Sequence, residues 1–156
     1  MFTIRVYGIL INDENQILVS DEYIRGKFYT KFPGGGLEHG EGTRDCLKRE
    51  FKEEMNLKVE VLEHLYTTDY FQESAFDPQD QIISIYYFVK ALESISFHLT
   101  NTKNDFTQDQ LNIYNQTSQI ETFRFIDMKN FSAEEMSLPI DKTVATLLKQ
   151  REELTQ

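Results

Sequence analysis

Gly35–Leu57 reads GGLEHGEGTRDCLKREFKEEMNL, and this stretch decides the fold. It opens with glycines and ends with Glu50, Glu53 and Glu54 crowded together. At helical spacing like charges repel, at about 0.2–0.5 kcal/mol per pair. From Thr43 onward, Leu47, Phe51 and Met55 recur on one face of a helix predicted over 43–55. Thr43 is the expected N-cap. Cys46, Glu50, Glu53 and Glu54 fall on the neighbouring stripe, and Asp45, Lys48 and Lys52 face water. Arg49 lies four residues before Glu53 and is expected to neutralise it, which leaves Glu50 and Glu54 without a cation in the sequence. Hard oxygen ligands so arranged suit Mg²⁺ or Mn²⁺, which would turn the repulsion into coordination.

Residues 34–42 hold five of the seven glycines of the chain. Such a segment turns sharply or approaches something closely. Its N–H groups, notably those of Gly35 and Gly36, can meet phosphate oxygens at the start of the helix. Metal-binding carboxylates beside a phosphate-friendly loop point to attack on phosphorus. Taken alone, a Glu- and Lys-rich helix is more often a solvated face, and a Gly-rich loop more often a simple turn.

Outward from this core, residues 2–11 and 16–20 flank the turn cluster NDEN and read as a β-hairpin. Residues 22–32 read as an aromatic and basic connection. Strands are predicted over 58–71, 81–92 and 121–128, and an amphipathic helix over 139–154 with Val144, Leu147 and Leu148 inward. Residues 93–120 are polar and read as a long loop. This order gives a mixed α/β architecture in one domain spanning 1–156.

Composition narrows the function classes. A chain of 156 residues, 40% hydrophobic, can bury one sizeable core. A net charge of −10 argues against duplex nucleic acid. Cys46 is the only cysteine, so no internal disulfide forms. It reads as a packed residue, since no His is near it in sequence. No apolar run is long enough to span a bilayer, so no membrane association is expected and the default location is cytoplasmic. Arg25, Lys27 and Lys31 form a small basic cluster. Tyr23, Phe28 and Tyr29 precede the glycines and can stack on a base or simply pack.

Gly35, Glu41, Arg49, Glu50, Phe51, Glu53, Glu54 and Leu57 together resemble the signature of the Nudix hydrolases: Gly, five residues, Glu, seven residues, then Arg-Glu-apolar-x-Glu-Glu-x-Gly-apolar. Only Asn56 departs, standing where the family has Gly. Asn is the next most tolerant residue in the left-handed conformation that ends a helix. Six fixed residue types at fixed spacing arise by chance on the order of once in ten million starts.

The resemblance implies an α/β/α sandwich with a mixed sheet. It also implies hydrolysis of a nucleoside diphosphate linked to another group, with Mg²⁺ or Mn²⁺. Carried over by position, Glu50 and Glu54 are metal ligands, Glu53 a ligand or base, and the Gly34 carbonyl a further ligand. Arg49 and Glu41 hold loop against helix, and Arg49 is also a candidate substrate contact with Gly35, Gly36 and Tyr29. An acid outside the motif assists the attacking water in many members; Glu121 is the candidate, ahead of Asp105 and Asp109. The expected partner is a small nucleotide diphosphate derivative, with a homodimer as the candidate assembly. The competing reading is a nucleotide-sensing module on the same fold that binds without turnover.

Overall fold

The computed structural model describes Met1–Thr155. Eight strands and three helices follow one another: β1 Phe2–Leu10, β2 Gln16–Ile24, β3 Lys27–Lys31, β4 Gly34–Gly36, α1 Thr43–Met55, β5 Val59–Thr67, β6 Gln81–Ala91, β7 Leu99–Thr100, α2 Gln108–Thr117, β8 Gln119–Asp127 and α3 Pro139–Thr155. The class is mixed α/β, as expected, with its strands divided between two four-stranded mixed sheets. Each sheet belongs to its own compact unit, one of residues 1–11 and 33–97, the other of residues 12–32 and 98 onward.

In the first unit the sheet runs β4-β1-β6-β5. β1 and β6 are parallel from Phe2↔Gln81 to Leu10↔Val89, and β4 joins β1 antiparallel. Helix α1 lays Leu47, Phe51 and Met55 inward, all buried, together with Cys46. The outer end of α1 is pinned where the Arg44 guanidinium donates to the Val61 carbonyl at 2.9 Å and Thr43 meets the Tyr87 hydroxyl at 2.7 Å.

In the second unit the sheet runs β3-β2-β8-β7. β2 pairs antiparallel with β8 along nine residues, from Gln16↔Asp127 to Ile24↔Gln119. Side chains alternate across a strand, so β2 sends Ser20 and Glu22 to one face and Asp21 and Tyr23 to the other. On the second face Asp21, fully buried, takes Arg124 Nε at 2.7 Å and Thr30 Oγ1 at 2.6 Å. Helix α3 buries Ile140, Val144, Ala145 and Leu148.

Several expectations change. β1 and β2 are not a hairpin, because each finds its nine-residue partner elsewhere, β1 in β6 and β2 in β8. The hairpin is instead β2–β3, within the stretch read as a connection. Its two-residue turn is Arg25–Gly26, with φ of 48° and 83°. Two positive φ values are what a tight hairpin requires; Arg in the first position hides the signal. Thr43 is not the cap: Gly42 holds that position, with no side-chain hydrogen bond. Residues 93–120 contain β7 and α2, and α2 opens with a reciprocal capping box between Thr107 and Gln110. Thr-x-x-Gln was legible there, but no apolar stripe followed, and α2 has no buried residue. Among the described residues no helix is long and apolar enough to cross a membrane.

Candidate active site

The carboxylate end of α1 is organised by Arg49. Its guanidinium clamps Glu41 twice, Nε to Oε2 at 2.9 Å and Nη2 to Oε1 at 2.6 Å. Nη1 reaches Glu50 Oε1 at 2.9 Å and Glu53 Oε2 at 3.2 Å, and Nη2 donates to the Gly36 carbonyl at 3.1 Å. Nη2 also reaches Cys46 Sγ at 3.7 Å, so all three guanidinium nitrogens face acceptors. Two expectations change. The main partner of Arg49 is Glu41 rather than Glu53, and Glu50 does have a cation. These bonds tie the loop to the helix. The guanidinium holds the Glu41 carboxyl down at about 2.

Glu50 is also fixed by what is missing opposite it. A Cβ at Gly35 would stand 2.5 Å from Glu50 Oε2 and 2.6 Å from Oε1. Only glycine lets the carboxylate lie against the main chain there. Oε1 takes Arg49, while Oε2 meets no hydrogen-bond donor among the described residues. Glu54 is half-buried one turn on, and Glu53 is exposed. Asn56 closes the helix at φ 49°, ψ 39°, in the left-handed region. Its N–H returns to Lys52, the single bond of the left-handed end usual for glycine, and that of Leu57 returns to Phe51 at 3.3 Å.

The glycines divide in two. Gly34, Gly35 and Gly36 are strand β4, facing Tyr7, Val6 and Arg5 of β1, rather than part of an open loop. Gly34 is buried with φ 151°. The turning segment is Leu37–Gly42, where Glu41 folds back to accept from the Glu38 N–H at 2.9 Å. Cys46 is buried, and burial, followed by the nearby Glu41, pushes its thiol up to about 12. That is the reverse of what a nucleophile needs.

In the second unit Glu121 lies half-buried on β8, its Oε2 accepting from Ser20 Oγ at 2.6 Å. Burial, then the charge of Glu22, raises its proton affinity. Asp105 and Asp109 are exposed. Tyr29 stands across from Glu22 on β3, half-buried. Tyr23 is not open to a base: it is stacked between Phe28 at 4.3 Å and Tyr114 at 4.0 Å. Lys31 leaves the basic cluster, buried against Glu22 at 2.6 Å, while Arg25 and Lys27 stay exposed. Glu22 and Ser20 were missed. Their signal was a polar run, Ser20-Asp21-Glu22, inside an otherwise apolar strand.

The Nudix domain model matches residues 1–147, which takes in the Arg49 arrangement and both sheets. The chain belongs to the Nudix hydrolase family. Solved structures share its fold. They include ORF135 of E. coli (16% identity, covering 97% of this chain and 92% of that one, TM-score 0.68). A MutT protein of Methanosarcina mazei is 14% identical, covering 97% and 95%, with a TM-score of 0.65. An ADP-ribose pyrophosphatase of Streptococcus suis is 13% identical, covering 95% and 92%, with a TM-score of 0.57. No curated protein matches the chain.

Does this Nudix chain fit a divalent cation? Among the described residues no group of three or more His, Cys, Asp or Glu side chains stands ready to hold one. A closed protein cage is therefore not what the residues offer. Mg²⁺ instead takes one or two carboxylates and completes its shell with water and phosphate oxygens. Glu50, its carboxylate laid against Gly35, and Glu54 one turn away match that donor set. The residues fit a divalent ion held by two carboxylates, with the rest of its shell supplied from outside the chain.

Proposed function

We propose that this Nudix chain hydrolyses the diphosphate linkage of a nucleoside diphosphate derivative, by attack of water at phosphorus. The observation that carries this is Glu50: Arg49 holds one oxygen, and the whole carboxylate lies against a main chain that only glycine permits. A carboxylate on a merely solvated helix face needs neither constraint. Glu50 and Glu54 would hold Mg²⁺ or Mn²⁺, with Glu53 and the Gly34 carbonyl as candidate further ligands. The cation would supply charge neutralisation at the phosphate oxygens. Arg49 and Glu41 keep Glu50 in place. The backbone at Gly35 and Gly36 and the ring of Tyr29 are the candidate substrate contacts.

Glu121 is the proposed proton acceptor. The water oxygen bonds to phosphorus and its proton passes to the carboxylate. The anhydride P–O bond breaks, and its electron pair leaves on the departing phosphate. A carboxyl whose proton affinity is raised toward neutrality suits that task.

The test is a panel of ADP-ribose, UDP-sugars, nucleoside triphosphates, dinucleoside polyphosphates and coenzyme A, each with Mg²⁺ and with Mn²⁺. At least one should turn over, and Glu54→Gln should lower its kcat at least a hundredfold with little change in melting temperature. Turnover by Glu54→Gln at nearly the wild-type rate would remove the metal assignment. Tight binding without turnover would instead make the chain a nucleotide-sensing module.

A further inference from the structure

The second unit carries a carboxylate pair that the proposed hydrolysis only half uses. Glu22 on β2 and Glu121 on β8 stand directly across from each other in the sheet. Like charges so placed destabilise a sheet. Both neighbours of the pair are committed: Lys31 Nζ lies 2.6 Å from Glu22 Oε1, and Ser20 Oγ donates to Glu121 Oε2 at 2.6 Å. Lys31 and Glu22 are 8% and 5% exposed and Ser20 is fully buried, so these are interior contacts. The cluster therefore sets two acids and one cation side by side, Glu22 and Lys31 buried and Glu121 half-buried, with Lys31 bonded to Glu22.

We propose that Glu22 and Lys31 are positioning residues for Glu121: Lys31, bonded to Glu22, and the Glu22 carboxyl directly across the sheet together set the charge that Glu121 meets as it takes up a proton. The proposal rests on Glu121 as the proton acceptor. β3 contributes Tyr29 beside Lys31, and β7 contributes Leu99 and Thr100. α2 offers the neutral Gln110, which donates to the Glu121 main-chain carbonyl at 2.9 Å. The one charged residue of α2, Asp109, is exposed. Burial and the Glu22 charge raise the proton affinity of Glu121, while Lys31 and the Ser20 hydroxyl oppose them. The two charges thus act on Glu121 in opposite directions.

The experiment uses the full chain and two readouts. Side-chain carboxyl NMR follows the Glu121 titration without any substrate. The pH dependence of kcat is then taken on whichever panel member turns over. Glu22→Gln should move the Glu121 midpoint, and the acid limb of the rate profile with it, to lower pH by about one pH unit. Lys31→Met should move both to higher pH. The double variant, which leaves the interior without either charge, should titrate between the two single variants; it also guards against a Lys31→Met chain that fails to fold. A merely structural role would lower kcat at every pH and leave the midpoint in place. Midpoints that stay put, or that shift the same way in both single variants, overturn the proposal. NMR midpoints that shift as stated while the acid limb stays fixed show that the cluster is real and that Glu121 is not the acceptor.

Discussion

Adding one methyl group at Gly35 should damage activity far more than stability. In Gly35→Ala the new Cβ would stand 2.5–2.6 Å from the Glu50 carboxylate oxygens, where ordinary contact begins at 3.4 Å. The backbone at 35 has no positive φ, so alanine adds no main-chain strain. Glu50 must therefore yield, its carboxylate receding by about 0.9 Å. An off-rotamer side chain costs about 0.5–1.5 kcal/mol, and the Arg49–Glu50 hydrogen bond weakens, while Arg49 keeps Glu41, Glu53 and the Gly36 carbonyl. A net loss of about 1–2 kcal/mol corresponds to roughly 2–8 °C in melting temperature for a chain of this size. Displacement of about 1 Å at a reacting centre costs about a hundredfold in rate. The assays are a thermal melt, a Mn²⁺ titration followed by water-proton relaxation, and kcat on the panel substrate. Gly34→Ala is the contrast. There φ is 151° and the Cβ would run into the Val6 main-chain oxygen, so stability should fall first. A Gly35→Ala chain with wild-type Mn²⁺ affinity and kcat within about threefold of wild type would show that the Glu50 position is not what the site depends on.

Asn56 should tolerate Gly, whereas Asn56→Val should cost about 1–2 kcal/mol, because a β-branched residue resists the left-handed region; equal melting temperatures for the two variants would contradict this. Asp21→Asn should destabilise by about 3–5 kcal/mol, since it strands the buried Arg124 guanidinium; urea melts measure it, and a loss under about 1 kcal/mol would mean the pair behaves as a surface one. Stability should fall as pH rises from roughly 4.5 to about 7, because folded Glu121 binds its proton more tightly than unfolded Glu121 does. Glu121→Gln should flatten that slope in urea melts at pH 5 and pH 7.5; an unchanged slope would place the titration on another group.

What the sequence determined by itself was local. The period of Leu47, Phe51 and Met55 set helix α1 to the residue, because a helix is specified by neighbours three and four apart. Asn56 marked its end for an equally local reason, the tolerance of one residue for one conformation. The spacing Gly35–Glu41–Arg49–Glu50 placed the loop and helix partners that Arg49 joins.

Pairings between distant segments were decided only in three dimensions. NDEN offered a hairpin, yet β1 and β2 entered different sheets, since nine-residue registers with β6 and β8 outweigh one short turn. Arg49 chose Glu41 over Glu53 because the chain reversal at Leu37–Gly42 brings Glu41 to its fork, which helical spacing cannot show. Lys31 read as one of a small basic cluster with Arg25 and Lys27; only the pairing of β3 with β2 shows it buried against Glu22. Glu121 acquired its raised proton affinity the same way. A carboxyl group takes its character from what lies across the sheet, and strand order, unlike helical period, is not written in neighbouring residues.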